Sequence, residues 1–261
     1  MAGTHFIGPN LLSYNPPVAA GPSYVTTDLL QYIDPFASTI SGTSVGSTVS
    51  DLSGNGFDAT IIVQSLSATV NGFELNQSSA GKLNLLNTNN LDTTSGLTFE
   101  VWFRNNDSNP QSNEVEFMGY LDRADNRPLV LVGNKRSTEN NVVFGSTRGT
   151  SGTDTEIKSS YDLSANYGVW NQWVLTIGSS NGTTLYRNAS VEISSGNYVT
   201  NANVANQFIT AGGGVGWDGS SFKYNRGYDN AYLGLIRIYQ KELSEAEATQ
   251  NYDANKADYG L

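Results

Sequence analysis

The sequence contains no cysteine and a single histidine, His5. Without cysteine, the chain can form no disulfide, thiol nucleophile or thiolate-bound metal site. With one histidine, it cannot assemble a His-dependent catalytic triad or a multi-His metal site by itself. Several of the commonest catalytic and metal centres are therefore excluded.

Basic residues and long apolar runs are also scarce. Lys and Arg total 14 against 24 Asp and Glu, for a formal net charge of −10. Such a chain is repelled by nucleic-acid phosphates and by anionic membrane surfaces. No apolar run approaches the roughly 18 residues of a membrane-spanning helix. The first ten residues lack the basic and apolar regions of a secretory signal. We therefore expect no nucleic-acid partner, no membrane partner and no secretory signal.

The chain is poor in charged residues and rich in small polar residues and glycine. Charged residues make up only 15% of the chain, and there are 27 glycines. This composition favours short strands and many turns over long surface helices. A chain of 261 residues has room for one large all-β domain.

Residues 1–24 differ from the rest because they hold four of the seven prolines, namely Pro9, Pro16, Pro17 and Pro22. They show no sustained periodicity. We interpret them as an extended N-terminal arm that precedes a β-sandwich domain at 25–261. We expect the arm to pack against its own domain or a neighbouring chain. Its apolar residues, which would make the assembly contacts, are Phe6, Ile7, Leu11, Leu12 and Tyr14.

Apolar alternation predicts strands along most of the remaining chain. In segment 97–103, Leu97, Phe99, Val101 and Phe103 share one face, whereas Thr98, Glu100 and Trp102 share the other. Segment 231–239 is apolar on both faces, which predicts a central strand covered on both sides. Further strands are predicted at 28–33, 57–63, 114–121, 128–132, 141–145 and 172–177.

Two local patterns predict a hairpin and a helix. Segments 183–187 and 190–194 flank Asn188-Ala189, and alanine tolerates positive φ poorly, so we expect a loop longer than two residues. Ser244 and Glu247 form a capping-box pattern that predicts a helix over about 244–257. Gly260 can end that helical segment.

Four motifs carry a family resemblance. In chain order these are DLLQYID (28–34) with VSDLSGNGFDATI (49–61), LTFEVWFR (97–104), WNQWVLTIG with TTLYRN (170–188), and GLIRIYQKELSEAEATQNYDANKADYG (234–260). In that order they resemble concanavalin A-like, laminin G-like domains over most of 28–260. The resemblance implies a two-sheet antiparallel jelly-roll sandwich with a short C-terminal helix. The opening turn and closing helix are most similar to domains of bacteriophage structural proteins, although the arm and Ala189 depart from the family pattern.

Asp51, Ser53 and Asn55 place three oxygen-bearing side chains at alternate positions before Gly56. This resembles the first half of a calcium loop, but the twelfth position is Ile62, which has no carboxylate. The alternative is an Asx-type turn that bonds its own backbone. Calcium is the one cofactor that this sequence suggests.

Glu114 and Glu116 lie on one face of a predicted strand, where a carboxylate pair could serve glycoside hydrolysis. No third acid follows, because the next alternate position is Met118. The alternative, a solvated strand face, is the interpretation that we prefer, and we expect the protein not to be an enzyme.

Five aromatic residues could stack on sugars: Trp170, Trp173, Trp217, Tyr224 and Tyr228. Trp173 alternates with Leu175 and Ile177, so we expect it in the core. Segment 212–230 reads as a long Gly-rich, aromatic loop, and we predict a contact surface there through Trp217, Tyr224 and Tyr228. Its alternative is to cover the sandwich edge.

Together these features suggest a virion structural protein: a bacteriophage capsid decoration or surface appendage subunit. It would assemble in the host cytoplasm, lie on the virion surface and be a homo-oligomer. The arm would bind the major capsid protein or neighbouring copies. The alternative is a carbohydrate-binding, lectin-like module, for example of a tail fibre, that recognises cell-surface glycans.

Overall fold

A computed structural model gives the structure of the protein. It describes residues 23–62, 65–75, 82–92, 95–106, 115–122, 127–135, 142–148, 154–178, 182–196, 208–213, 215–217, 222–224 and 230–261. No helix within these ranges is long and apolar enough to cross a bilayer.

The described residues form eighteen strands, one α-helix and two 3₁₀ helices (Thr88–Asn90 and Lys256–Tyr259). In chain order, the strands and the α-helix are β1 (Leu29–Ile33), β2 (Thr48–Val49), β3 (Ala59–Ile62), β4 (Ser67–Thr69), β5 (Gly72–Leu75), β6 (Lys82–Asn87), β7 (Leu97–Asn105), β8 (Val115–Asp122), β9 (Arg127–Lys135), β10 (Val142–Arg148), β11 (Asp154–Asp162), β12 (Asn171–Gly178), β13 (Gly182–Arg187), β14 (Ser190–Ser195), β15 (Phe208–Ala211), β16 (Val215–Trp217), β17 (Phe222–Tyr224), β18 (Ala231–Tyr239) and α1 (Glu245–Asn255).

The strands form two sheets, and every strand pairing in the described chain is antiparallel. The eight-stranded sheet has the order β14-β13-β12-β7-β18-β5-β4, and β1 also pairs with β18. The ten-stranded sheet has the order β11-β10-β9-β8-β15-β6-β3-β2, and β16 and β17 extend it from β15. The predicted antiparallel sandwich is confirmed.

The main core lies between the two sheets, and β7 shows how the alternation builds it. Phe99, Val101 and Phe103 are buried in this core, where Phe103 stacks on Phe117 of the facing sheet at 4.0 Å between ring centroids. Trp102 lies on the outer face of the same strand and is fully buried in a second apolar cluster. Both faces of the eight-stranded sheet are therefore covered along this strand.

Strand β18 is central and covered on both sides, as its apolar pattern predicted. Leu233, Ile236 and Ile238 face the main core, whereas Leu235 belongs to the outer cluster. The register shifts between Leu233 and Ile236. Gly234 lies at this shift, where a Cβ would come within 2.6 Å of the Tyr259 hydroxyl oxygen. A side chain at Gly234 would push the C-terminal segment off the sheet.

The C-terminal helix covers the outer face of the eight-stranded sheet. Ser244 is its N-cap: the Ser244 Oγ accepts from the Glu247 N–H at 3.3 Å, and Glu247 Oε2 accepts from the Ser244 N–H at 2.9 Å. This confirms the predicted capping box. Gly260 follows the final 3₁₀ turn with φ of 74°, as expected for a left-handed terminator.

The hairpin between β13 and β14 corrects one prediction. Its loop has only two residues, Asn188 and Ala189, with φ of 48° and 68°. The prediction of a longer loop was wrong because tertiary contacts hold Asn188 in its left-handed conformation. Its Oδ1 accepts from the Gln172 N–H at 2.9 Å, and its Nδ2 donates to Asn171 Oδ1 at 3.1 Å. Ala189 is therefore held in a left-handed conformation that alanine seldom adopts.

Segment 212–230 is not a loop throughout, so that expectation was also wrong. Strands β16 and β17 lie within it, with Phe208 opposite Trp217 and Val215 opposite Tyr224. Gly212 and Gly213, with φ of 91° and 103°, let the chain reverse directly after β15.

Candidate functional site

The loop at Asp51 has the geometry of a structural turn. Asp51 Oδ1 accepts from the N–H groups of Tyr32 and Ser53, both at 2.9 Å. Its Oδ2 accepts from the Ser53 hydroxyl at 2.6 Å and from the Phe57 N–H at 3.1 Å. The Asn55 amide nitrogen donates to two backbone carbonyls of β1. The carboxylate is thus occupied by donors, which favours the Asx-type turn over the calcium site. In the described part of the chain, no group of three His, Cys, Asp or Glu residues could hold a metal.

The structure separates the predicted aromatic residues. Trp173 is fully buried between the sheets and contacts Tyr161 edge-on at 5.6 Å, so its predicted core position is confirmed. Trp170 lies outside the sandwich core and packs against Tyr259 at 4.7 Å. The β16–β17 hairpin carries Trp217 and Tyr224 at diagonal positions in its register.

Other predicted residues lie wholly or partly beyond the described ranges. Glu116 lies on β8 opposite Gly133. The described ranges exclude Glu114, Tyr228 and the predicted arm contacts, namely Phe6, Ile7, Leu11, Leu12 and Tyr14. The predicted carboxylate pair and arm contacts therefore stay predictions.

A groove lies on the outer face of the eight-stranded sheet, between the β13–β14 hairpin and the first turn of α1. It encloses about 310 Å³, the lower end of the range for small-molecule sites. Its lining combines hydroxyls, a carboxylate, an aromatic ring and an aliphatic side chain: Thr184, Tyr186, Val191, Ser194, Ser244 and Glu245. We call this site the hairpin–helix groove.

A β-bulge shapes one side of the hairpin–helix groove. Leu185 pairs with Ile193, but the next residue, Tyr186, pairs with Val191, so Glu192 is the extra residue on β14. Val191 thereby becomes the cross-strand neighbour of Tyr186 on the outer face, with 46% of its surface exposed. The bulge therefore gives the groove an apolar patch beside the tyrosine.

The polar groups of the groove suit a neutral ligand with many hydroxyls. The Thr184 and Ser194 hydroxyl oxygens lie 2.9 Å apart. Burial raises the pKa of the Tyr186 phenol, and the negative charges of Glu245 and Glu242 raise it further. The phenol is therefore neutral at physiological pH, and the acidic side chains disfavour an anionic ligand. Glu245 adds a carboxylate at the first turn of α1 that can accept hydrogen bonds from a ligand's hydroxyls.

A buried polar network fixes α1, and with it one wall of the groove. The Arg237 guanidinium and the Glu100 carboxylate lie 3.1 Å apart, and both side chains are fully buried. Asn251 Nδ2 donates to Glu100 Oε2 at 2.7 Å, and an Arg237 Nη donates to Asn255 Oδ1 at 2.6 Å. Sequence reasoning missed this network. Its signal was a single charge within each of two largely apolar segments, Glu100 in 97–103 and Arg237 in 231–239.

The same network holds the described end of the predicted arm. The Val25 N–H donates to Asn251 Oδ1 at 2.8 Å, and Gln250 Nε2 donates to the Ser23 carbonyl at 2.7 Å. The Arg237 guanidinium lies 4.3 Å from the centre of the Tyr24 ring. Residues 23–25 are thus attached to α1 and to the outer face of the sheet.

Two antiparallel sheets packed face to face around one main core define a jelly-roll β-sandwich domain. The model of the concanavalin A-like lectin/glucanases superfamily matches residues 59–249. The chain belongs to this superfamily, which confirms the predicted jelly-roll fold.

Solved structures share the fold at low sequence identity. The receptor-binding domain of botulinum neurotoxin C/D mosaic serotype superposes with a TM-score of 0.62 at 14% identity, covering 88% of this chain and 52% of that one. The botulinum neurotoxin serotype D ligand-binding domain, solved with N-acetylneuraminic acid, gives 0.60 at 13% identity, covering 88% and 51%. Trypanosoma rangeli sialidase, solved with 2,3-difluorosialic acid, gives 0.64 at 12% identity, covering 91% and 35%.

The chain spans about half the length of the two toxin domains and about a third of the sialidase. At these identities the likeness shows the fold alone. No sequence among the curated proteins matches the chain. The narrower resemblance to bacteriophage structural proteins stays a prediction.

Proposed function

We propose that this protein is a carbohydrate-binding domain that holds a neutral sugar in the hairpin–helix groove. One observation carries the proposal: hydroxyls and a carboxylate surround an exposed valine and a neutral tyrosine in about 310 Å³. Sugars present the matching combination of hydroxyl groups and apolar ring faces. Membership of a lectin-containing superfamily supports this function.

The domain binds without catalysis in this proposal. Retaining and inverting glycosidases both use a pair of carboxyl groups that flank the bond to be broken. The described residues that line the groove supply one carboxylate, that of Glu245. Glu245 is therefore assigned to accept hydrogen bonds from sugar hydroxyls.

The test is a glycan array, followed by calorimetric titration of the best neutral glycan against wild type and Val191→Asp. Aspartate would add charge at the apolar patch, and we expect binding at least tenfold weaker. Val70→Asp is the matched control, because Val70 is 93% exposed at the β4–β5 turn, at the other end of the sheet. Equal affinity in all three proteins would refute the groove as the binding site.

A second proposal concerns attachment: the domain is a subunit of a virion surface structure, joined through residues 1–22. The observation that favours it is the firm connection of residues 23–25 to α1, which would transmit an attachment to the folded domain. Deleting residues 1–22 should leave the thermal midpoint unchanged and abolish incorporation into particles. Normal incorporation of the truncated chain would refute the proposal.

A further inference from the structure

Arg104 is a half-buried cation near the C-terminal end of β7 whose charge has no counter-ion in the described part of the chain. Its guanidinium carbon lies 5.2 Å from the Trp170 ring centre and 4.6 Å from that of Tyr232. Its Nε is buried without a hydrogen-bond acceptor. The two Nη atoms also lack an acceptor among the described residues, and they are not enclosed.

This arrangement is unusual because buried polar groups are normally satisfied. Fully buried arginine is nearly always paired, and the Nε of Arg104 lies in the buried part of its side chain. Acidic residues that could pair with Arg104 are plentiful, since the chain has 24 Asp and Glu residues. Nevertheless, two aromatic rings hold the guanidinium and leave its hydrogen-bonding edge unused.

The surrounding elements hold the site in place. Arg104 pairs across the sheet with Tyr232 on β18. Trp170 ends a turn whose Gly168 N–H donates to the Asn105 carbonyl at 2.6 Å, which docks the turn on β7. That turn exposes Tyr167, with 55% of its surface accessible. The docked turn and β18 therefore position the guanidinium from two sides, through Trp170 and Tyr232.

We propose that Arg104 binds the carboxylate of an acidic sugar. The planar guanidinium presents paired N–H donors that match the two oxygens of a carboxylate. The adjacent Tyr232 ring is half-buried and gives a sugar some apolar surface beside the carboxylate. The sugar part of this inference rests on the proposed carbohydrate-binding function, whereas the carboxylate part rests on Arg104 alone.

The site differs from the hairpin–helix groove in chemistry and in position. The groove is acidic and suits a neutral ligand, whereas Arg104 provides a positive charge near β5 and β18. Glu74 faces Tyr232 from β5 and makes no ion pair with Arg104 within the described chain. Glu74 can accept hydrogen bonds from sugar hydroxyls, which would favour a sugar over a simple anion.

The test titrates the protein with D-glucuronate, and with D-glucose as the neutral control. Binding is monitored by NMR through the chemical shift of the Trp170 indole N–H. Wild type should show a saturable shift with glucuronate and none with glucose. Arg104→Gln should weaken glucuronate binding at least tenfold. Arg104→Lys should restore only part of it, because lysine lacks the planar fork. Lys158→Gln, which removes a positive charge on the other sheet, should bind as wild type does.

Three results would overturn the proposal: the same shift with glucose, unchanged glucuronate affinity in Arg104→Gln, or tighter binding of acetate or inorganic phosphate than of glucuronate. The wild-type comparison of glucuronate with glucose needs no variant, so it decides the matter even if Arg104→Gln fails to fold. Val191→Asp should leave glucuronate binding intact. The groove proposal fails separately, if Val191→Asp and wild type bind neutral glycans with equal affinity.

Discussion

Ala189 adopts a backbone conformation that is costly for any residue with a Cβ. Its φ of 68° lies in the left-handed region, where an L-residue is destabilised by about 1–2 kcal/mol. Glycine has no such penalty, although it adds entropy to the unfolded chain. Ala189→Gly should therefore raise the free energy of unfolding by about 1 kcal/mol, as measured by urea denaturation.

The matched control is Ala165→Gly, which changes another alanine in a surface turn. Ala165 is exposed and does not have positive φ. At Ala165 glycine only adds conformational entropy to the unfolded chain, so we expect the free energy of unfolding to fall by about 0.5–1 kcal/mol. Equal effects of the two substitutions would show that the hairpin turn is unstrained.

Glu100 and Arg237 show what residue patterns can and cannot predict. The alternation of 97–103 correctly placed Glu100 on the face opposite Phe99, and the pattern of 231–239 correctly predicted a strand covered on both sides. Each charge thus occupied a position with no water, where an ion must have a partner. Which partner it finds depends on the pairing of β7 with β18, where Glu100 lies opposite Arg237. Strand pairing depends on the whole fold and not on a local pattern.

At the scale of elements, the start of α1 should be sensitive to acid. Partial burial opposes ionisation of Glu247, but hydrogen bonds from Lys241 and Ser244 outweigh it and hold the pKa of Glu247 below its usual value. The folded state therefore binds the proton less tightly than the unfolded state does. This stabilisation is present above the unfolded pKa of about 4.3 and is lost as pH falls through the lower folded pKa.

Glu247→Gln should remove this part of the pH dependence. We expect the variant to be less stable than wild type at neutral pH, by about 0.5–2 kcal/mol, and the difference to shrink below about pH 4. Urea denaturation midpoints of both proteins, measured from neutral to acidic pH, test this expectation. Lys241→Gln removes one of the three groups that donate to the Glu247 carboxylate and should show an intermediate slope. A difference that stays constant down to strongly acidic pH would contradict the assigned cause.

Element prediction failed where distant contacts decide a local conformation. The helix start was predictable because Ser244 and Glu247 cap each other over three residues. The hairpin turn was not, because its left-handed conformation depends on Asn171 from another strand. The hairpin–helix groove could not be predicted from the sequence either, because the position of Val191 depends on a bulge in the register of β14. Its other wall depends on where α1 docks.

At the scale of the whole molecule, the segments near the two ends of the described chain meet on one surface. Tyr24 and Val25 pack with α1 and the final 3₁₀ turn over the eight-stranded sheet, in which β1 pairs with β18. Trp102 stacks on Tyr259 at 4.1 Å within this cluster. The outer cluster thus ties the first and last described segments to the central strands. Both proposed ligand sites lie on the same outer side of the molecule.

This surface should make the protein sensitive to alkali. Burial raises the pKa values of Tyr32, Tyr239 and Tyr259 above their ordinary value, with Asp34 adding to the effect at Tyr32 and Glu100 at Tyr239. The folded state keeps these phenols protonated where the unfolded state would release the protons. Their contribution to stability is therefore complete below the unfolded pKa of about 10 and is lost as pH rises through the higher folded values.

Alkaline titration followed by tyrosinate absorbance and near-ultraviolet circular dichroism tests this cluster. Tyr32, Tyr239 and Tyr259 should ionise only in the step that also abolishes the dichroism, because their charged forms cannot be hydrated in the folded state. Tyr259→Phe should remove one phenol from that cooperative step. If all tyrosines ionise before the dichroism changes, the outer cluster admits water.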